Sequence, residues 1–123
     1  MNLKFLWTTI IVKDLEQSLR FYTEIVGLKE HRRFNSGPGV EIVFLGDGDT
    51  EVELMTSRQE KELAYGQDIS LGFEVESLEE FMAFLKDKEI AILAGPFSPN
   101  PAVKFIYVLD PNGLKIQFVE NAK

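Results

Sequence analysis

The stretch from Thr8 to Leu28, TTIIVKDLEQSLRFYTEIVGL, constrains the fold more than any other part of the chain. Thr8, Thr9, Ile10, Ile11 and Val12 are all β-branched and predict a strand. Asp14 follows as an N-cap, with Gln17 three residues on, as a capping box requires. Leu15, Leu19, Tyr22 and Val26, with Ile25 beside them, share one helical face. Gly27 supplies the left-handed position that stops the helix, and the chain runs straight into a second strand. The pattern then recurs. Val12, Leu15, Glu16 and Phe21 shifted by 63 residues fall on Val75, Leu78, Glu79 and Phe84. Asp14 falls on Ser77, another N-cap, with Glu80 three residues later. A long unit present twice predicts two copies of one small module.

The rest of the chain supplies strands. Leu28–Phe34 is expected as a strand ended by the breakers Asn35 to Gly39, and Val40–Leu45 as the next. Gly46 to Asp49 is a turn and Thr50–Thr56 returns from it. Module one spans about 2–56, a polar linker about 57–68, and module two about 69–120, within one domain of 1–123. Module two opens with a strand at Ile69–Val75 and a helix from Leu78 to about Lys88. Ala91–Ala94 is expected as a short strand. Gly95–Pro101, with three of the five prolines, is expected as an extended loop. Val103–Leu109 and Leu114–Val119 form a hairpin around Asp110-Pro111-Asn112-Gly113. Each module therefore reads β-α-β-β-β. The hairpins correspond as well: Leu45, Val52 and Glu53 fall on Leu109, Ile116 and Gln117 at an offset of 64.

With 45% hydrophobic residues the chain has the material for a core. It has no cysteine, which excludes disulfides and thiolate metal sites. A formal charge of −7 argues against nucleic acid as a partner. There is no apolar run of the roughly 20 residues that span a bilayer. MNLKFLWTT lacks the shape of a signal peptide, so a cytoplasmic location is the expectation.

Two β-α-β-β-β modules, the DLEQSLRFYTEIVGL helix and the LDPNGLKIQF hairpin together resemble the vicinal oxygen chelate superfamily. That group includes glyoxalase I, bleomycin-resistance proteins, extradiol dioxygenases and fosfomycin-resistance enzymes. The resemblance covers nearly the whole chain. It implies an α+β fold in which two βαβββ modules form curled mixed sheets around a cavity, and it implies pairing of chains into a homodimer. The metal enzymes of the group carry ligands near the middle of the first and last strand of each module.

Strand alternation assigns the faces. Val52, Leu54, Leu71, Phe73, Val75, Leu114, Ile116 and Phe118 are expected against the helices. Glu51, Glu53, Met55, Ser70, Gly72, Glu74, Lys115, Gln117 and Val119 are expected on the cavity side. In the first strand Leu6, Thr8, Ile10 and Val12 take the helix side, and Phe5, Trp7, Thr9 and Ile11 the cavity.

Carried residue by residue, the resemblance places the four ligand positions at Trp7, Glu53, Ser70 and Gln117. Glyoxalase-type members hold His or Gln at the first, His at the third and Glu at the other two. Trp7 has no ligand atom, Ser70 is a poor ligand, and Gln117 offers only a carbonyl oxygen. One carboxylate and one amide are too few for zinc, nickel or iron, so no metal is expected here and a divalent cofactor is disfavoured. His31 lies in the second strand, away from these positions, and reads as a surface or half-buried strand histidine. Glu53 needs a partner, since a buried unpaired carboxylate is costly. It serves either as a general base or ligand anchor, or as the salt-bridge partner of Lys115.

Trp7 replaces a metal ligand with a flat apolar wall and one N–H donor. Phe105 and Tyr107 share the parity of Leu109, which the family pattern turns toward the cavity, and Phe5 joins them. An aromatic-lined pocket with Glu51, Glu53, Glu74 and the polar handle Gln117 suits a flat or cationic organic ligand. Aromatic residues filling the space as plain core is the other reading. Three functions follow. The first is a metal-free binding module for a small organic ligand, in the manner of bleomycin-resistance proteins. The second is an enzyme, a metal-dependent lactoylglutathione-lyase-like lyase or isomerase or a dioxygenase, or a metal-free enzyme with Glu53 as catalytic base. The third is a subunit whose cavity has collapsed.

Overall fold

The computed structural model describes residues 1–57 and 62–122. The chain divides into two units, Met1–Ala64 and Tyr65–Lys123. Residues 58–61, inside the expected linker, lie outside the described residues.

The first unit runs β1 (Trp7–Ile11), α1 (Leu15–Arg20), β2 (Glu30–Asn35), β3 (Glu41–Leu45) and β4 (Glu51–Met55). Its four-stranded sheet has the order β1-β4-β3-β2, with β1 parallel to β4 and the other pairs antiparallel. The Asp14 side chain accepts a hydrogen bond from the Gln17 N–H at 3.0 Å and starts α1. The expected single helix is not uniformly α. Phe21–Ile25 forms a π-helical turn, with the Val26 N–H donating to the Phe21 carbonyl. Gly27 stops it at φ +86°, as expected. The helix packs on the sheet through Leu15, Phe21, Tyr22 and Ile25, against Ile10, Val12, Val43, Leu45, Val52 and Leu54, all buried. Each such side chain contributes on the order of 1.5–3 kcal/mol when fully withdrawn from water. Leu6, expected on this side, precedes β1 and is exposed.

The second unit repeats the plan with β5 (Ser70–Glu74), α2 (Leu78–Asp87), β6 (Ala94–Asn100), β7 (Val103–Leu109) and β8 (Lys115–Asn121). Its sheet order is β5-β8-β7-β6, with β5 parallel to β8. Ser77 caps α2 by accepting from the Glu80 N–H at 3.2 Å. Phe118 packs under α2, its ring centroid 4.4 Å from that of Phe81 and 6.3 Å from that of Phe73. Leu71 and Phe73 alternate in burial with the exposed Ser70, Gly72 and Glu74, as the pattern predicts.

One stretch differs from expectation. The short strand at Ala91–Ala94 and the loop at Gly95–Pro101 are replaced by β6, a strand through the proline-rich segment itself. β6 is an edge strand, so the missing N–H groups of Pro96 and Pro99 break no ladder on its outer side. Its pairing with β7 is irregular, Ala94 opposite Tyr107, Phe97 opposite Phe105 and Asn100 opposite Val103. The Ser98 hydroxyl, which donates to the Asn100 carbonyl at 2.9 Å, braces the irregular end.

Among the described residues no helix is long and apolar enough to cross a membrane.

Candidate functional site

Each sheet has a face turned away from its helix, and register fixes what stands on it. In the first unit Trp7 pairs with Glu51, Thr9 with Glu53, and Ile11 with Met55. Phe44 lies opposite Glu53 on β3, and Arg32 opposite Phe44 on β2. One row across all four strands is therefore Thr9, Glu53, Phe44, Arg32.

Glu53 is 8% exposed, and its carboxylate accepts a hydrogen bond from the Thr9 hydroxyl. Within its own unit this buried charge therefore has a hydroxyl partner. In the second unit the ammonium of Lys115 lies 5.2 Å from the Tyr107 ring centroid. Trp7 meets Phe44 edge-on with centroids 5.0 Å apart, and Phe34 stacks beside Phe44 at 6.3 Å. Phe44 is buried, while Trp7 and Phe34 are 41% and 43% exposed. Phe5, just before β1, is exposed.

His31 is not remote from this face. β2 bulges between Glu30 and Arg32, and His31 Nδ1 comes within 2.5 Å of Glu51 Oε2. An extra residue in one strand turns its side chain out of simple alternation. The pair borders a cleft of about 420 Å³ with Lys29, Gly46 and Asp47. Next in β2, Arg33 serves the helix side. Its Nε donates to Glu41 and its Nη2 to Glu16, both at 2.5 Å. The hydrogen bond to Glu41, then that to Glu16, holds the guanidinium protonated above even its usual range.

In the second unit Ser70 pairs with Lys115, Gly72 with Gln117, and Glu74 with Val119. Phe105 and Tyr107 stand on the same face, opposite Val119 and Gln117. Their rings meet edge-on at 5.6 Å, and Phe97 from β6 completes the cluster at 5.6 and 6.5 Å. Glu74 accepts from the Asn121 amide at 2.8 Å. Tyr65, also in this unit, has its phenol pushed up to about 12 by burial and by the charge of Asp110.

Trp7, Glu53, Gln117, Phe105 and Tyr107 are all expected from the sequence on the cavity side, and the register puts Trp7 with Glu53 on one face of the first sheet and Gln117 with Phe105 and Tyr107 on one face of the second. The sequence reading missed Arg32, Phe34 and Phe44 because it assigned no faces to β2 and β3. It missed Phe97 because the prolines read as loop. The available signal was the Arg-x-Phe alternation of Arg32 and Phe34, which puts a cation and a ring on one side of a strand.

A family model described as "Glyoxalase/Bleomycin resistance protein/Dioxygenase superfamily" matches residues 4–118. This chain belongs to that superfamily. A lactoylglutathione lyase of Neisseria meningitidis is 32% identical over 96% of this chain and 91% of its own. YwbC of Bacillus subtilis is 32% identical over 92% of this chain and 94% of its own. The solved structure of the trypanothione-dependent glyoxalase I of Leishmania major superposes with a TM-score of 0.82 at 26% identity, covering 97% of this chain and 87% of that one.

Superfamily membership raises the question of a resident metal, and the donor atoms at the four expected ligand positions bear on it. The indole of Trp7 has no lone pair to give. Glu53 is the one carboxylate of the four, and it accepts the Thr9 hydroxyl. Ser70 offers a neutral hydroxyl. Gln117 offers one amide oxygen, beside Gly72. Among the described residues no three His, Asp or Glu side chains gather as a metal site. A divalent ion held by nitrogen and carboxylate ligands does not fit this set.

Proposed function

We propose that this superfamily member is a metal-free protein that binds a small flat organic molecule, aromatic or cationic, on its aromatic-lined open faces. The observation that carries the reading is Trp7. It fills a position where metal-binding relatives need an imidazole or amide, and it lies edge-on to Phe44 with much of its ring exposed. An exposed indole beside further rings is a stacking surface. Phe97, Phe105 and Tyr107 give the second unit a comparable surface, and Gln117 supplies a polar handle. Pairing of two chains belongs to this reading. Sedimentation showing only a 14.0 kDa species would remove that part.

The test is calorimetric titration of chelator-treated protein with Ni²⁺, Zn²⁺, Mn²⁺ and Fe²⁺, repeated on Glu53→Ala. The expected result is no binding at one ion per chain. Sub-micromolar binding that the variant abolishes would overturn the reading. A panel of aromatic and cationic molecules, followed by Trp7 fluorescence, then seeks the ligand, which should be recovered unchanged.

A second reading, a metal-dependent lyase, is favoured by the lactoylglutathione lyase of Neisseria meningitidis at 32% identity across nearly the full length. It requires metal-dependent turnover, and the same titration separates the two.

A further inference from the structure

We propose that Arg32 is an anion-recognition residue, and that the ligand of the first unit's open face is a flat molecule carrying a carboxylate. This rests on the reading of that face as a small-molecule surface and states what the molecule must carry.

Arg32 and Arg33 are neighbours with different employment. Arg33 is consumed by Glu41 and Glu16 on the helix side. Among the described residues no carboxylate pairs with Arg32. Its Cζ lies 4.1 Å from the Phe44 ring centroid and 5.8 Å from that of Phe34. Scarcity of acids does not explain this, because the chain has 20 Asp and Glu against 13 Lys and Arg. The two glutamates of the same face are engaged elsewhere, Glu51 by His31 and Glu53 by Thr9. What remains is a permanent cation held over a buried ring by stacking, with its hydrogen-bonding capacity unspent on carboxylates.

A guanidinium is planar and carries five N–H donors in a fork that matches a carboxylate. Stacking on Phe44 satisfies its face and leaves that fork for another partner. Trp7 and Phe34, both partly exposed, flank Phe44 on either side. A flat ring laid on one of them brings a short carboxylate arm to Arg32. A cationic group placed at Arg32 meets like charge, whereas Glu53 is buried beneath its contact with Thr9 and Glu51 lies against His31. At Arg32 itself the geometry therefore favours an anionic arm over a cationic one.

The experiment is isothermal titration of the full chain, at low salt, with naphthylacetate, naphthylethanol and naphthylethylammonium, for wild type, Arg32→Gln and Arg32→Lys. Wild type should bind the acetate on the order of ten-fold more tightly than the alcohol, with the ammonium weakest. Arg32→Gln should bring the acetate down to the alcohol and leave the alcohol within about two-fold. Arg32→Lys should keep part of the preference, because the charge remains while the fork is lost. An alcohol that binds as well as the acetate in wild type overturns the proposal and leaves the binding-surface reading standing. So does Arg32→Gln weakening all three alike, which would make Arg32 a packing group. If none of the three binds, and the single tryptophan indole N–H resonance is unmoved by any of them, the binding-surface reading falls and takes the proposal with it.

Discussion

The amide oxygen of Gln117 lies 3.3 Å from the point where a Cβ on Gly72 would stand. The same register in the first unit holds Thr9 and Glu53, where the hydroxyl donates to the carboxylate. The two modules thus share one cross-strand position, filled by a donor–acceptor pair in one and by an acceptor over a glycine in the other. Gly72→Ser should restore the missing hydroxyl beside Gln117. The close neighbour is the far end of a flexible side chain, and glycine weakens a strand, so stability should stay within about 0.5–1 kcal/mol of wild type or rise. Urea midpoints decide it. A loss of more than about 2 kcal/mol would show that the backbone there tolerates no side chain.

Thr9→Val should be costly for the converse reason. It keeps the shape and removes the donor from a carboxylate that is 8% exposed. Leaving such a group short of a partner costs about 1–3 kcal/mol, more for a charge. Thr9→Ser should recover most of it. A double cycle with Glu53→Gln measures the coupling, and a value near zero would mean the contact carries no stability.

The repeat was legible because caps and strands are local. Asp14 and Ser77 each precede an apolar helical face, and the offset of 63 that aligns Val12 with Val75 also aligns the starts of β1 and β5, Trp7 and Ser70. The last strands begin 64 apart, at Glu51 and Lys115, as the one-residue change in offset predicts. β6 was not legible. Pro96 and Pro99 argue against a strand unless it lies at an edge, and edge position is a property of the whole sheet. The surroundings of His31 were hidden too. Alternation puts neighbouring residues on opposite faces, and only the bulge before Arg32 carries His31 to Glu51.

Acid should weaken the second unit through Glu120. Its carboxylate accepts the Leu78 N–H at 2.7 Å, at the start of α2, and also meets Lys104 at 3.5 Å. The backbone hydrogen bond first, and Lys104 after it, hold the folded-state pKa below the ordinary value of 4.5. A depressed folded-state pKa contributes stability above the unfolded value, and that contribution is lost as pH falls through the folded one. Glu120→Gln should therefore flatten the stability curve below about pH 4.5 and leave its shape near neutrality unchanged. Thermal melts from pH 7 down to pH 3 test this. Parallel curves for variant and wild type would rule out the linkage.

Gly46 stands where the chain leaves β3 and borders the cleft beside His31 and Glu51. It adopts φ +127°, a region that side chains rarely enter, and its N–H donates to the Lys29 carbonyl at 2.7 Å. An added Cβ would lie 3.3 Å from the Thr50 carbonyl oxygen and 3.7 Å from Glu51 Cγ. Gly46→Ala should accordingly cost about 1–3 kcal/mol through backbone strain and crowding. It should also displace Glu51 from His31. His31→Ala should cost less than about 1 kcal/mol, because its side chain is 60% exposed and exposed polar contacts of this kind contribute little. Chemical denaturation of both variants separates the effects. If His31→Ala proved the more damaging, the His31–Glu51 contact would be a structural clamp, and the cleft beside it would depend on that pair rather than on Gly46.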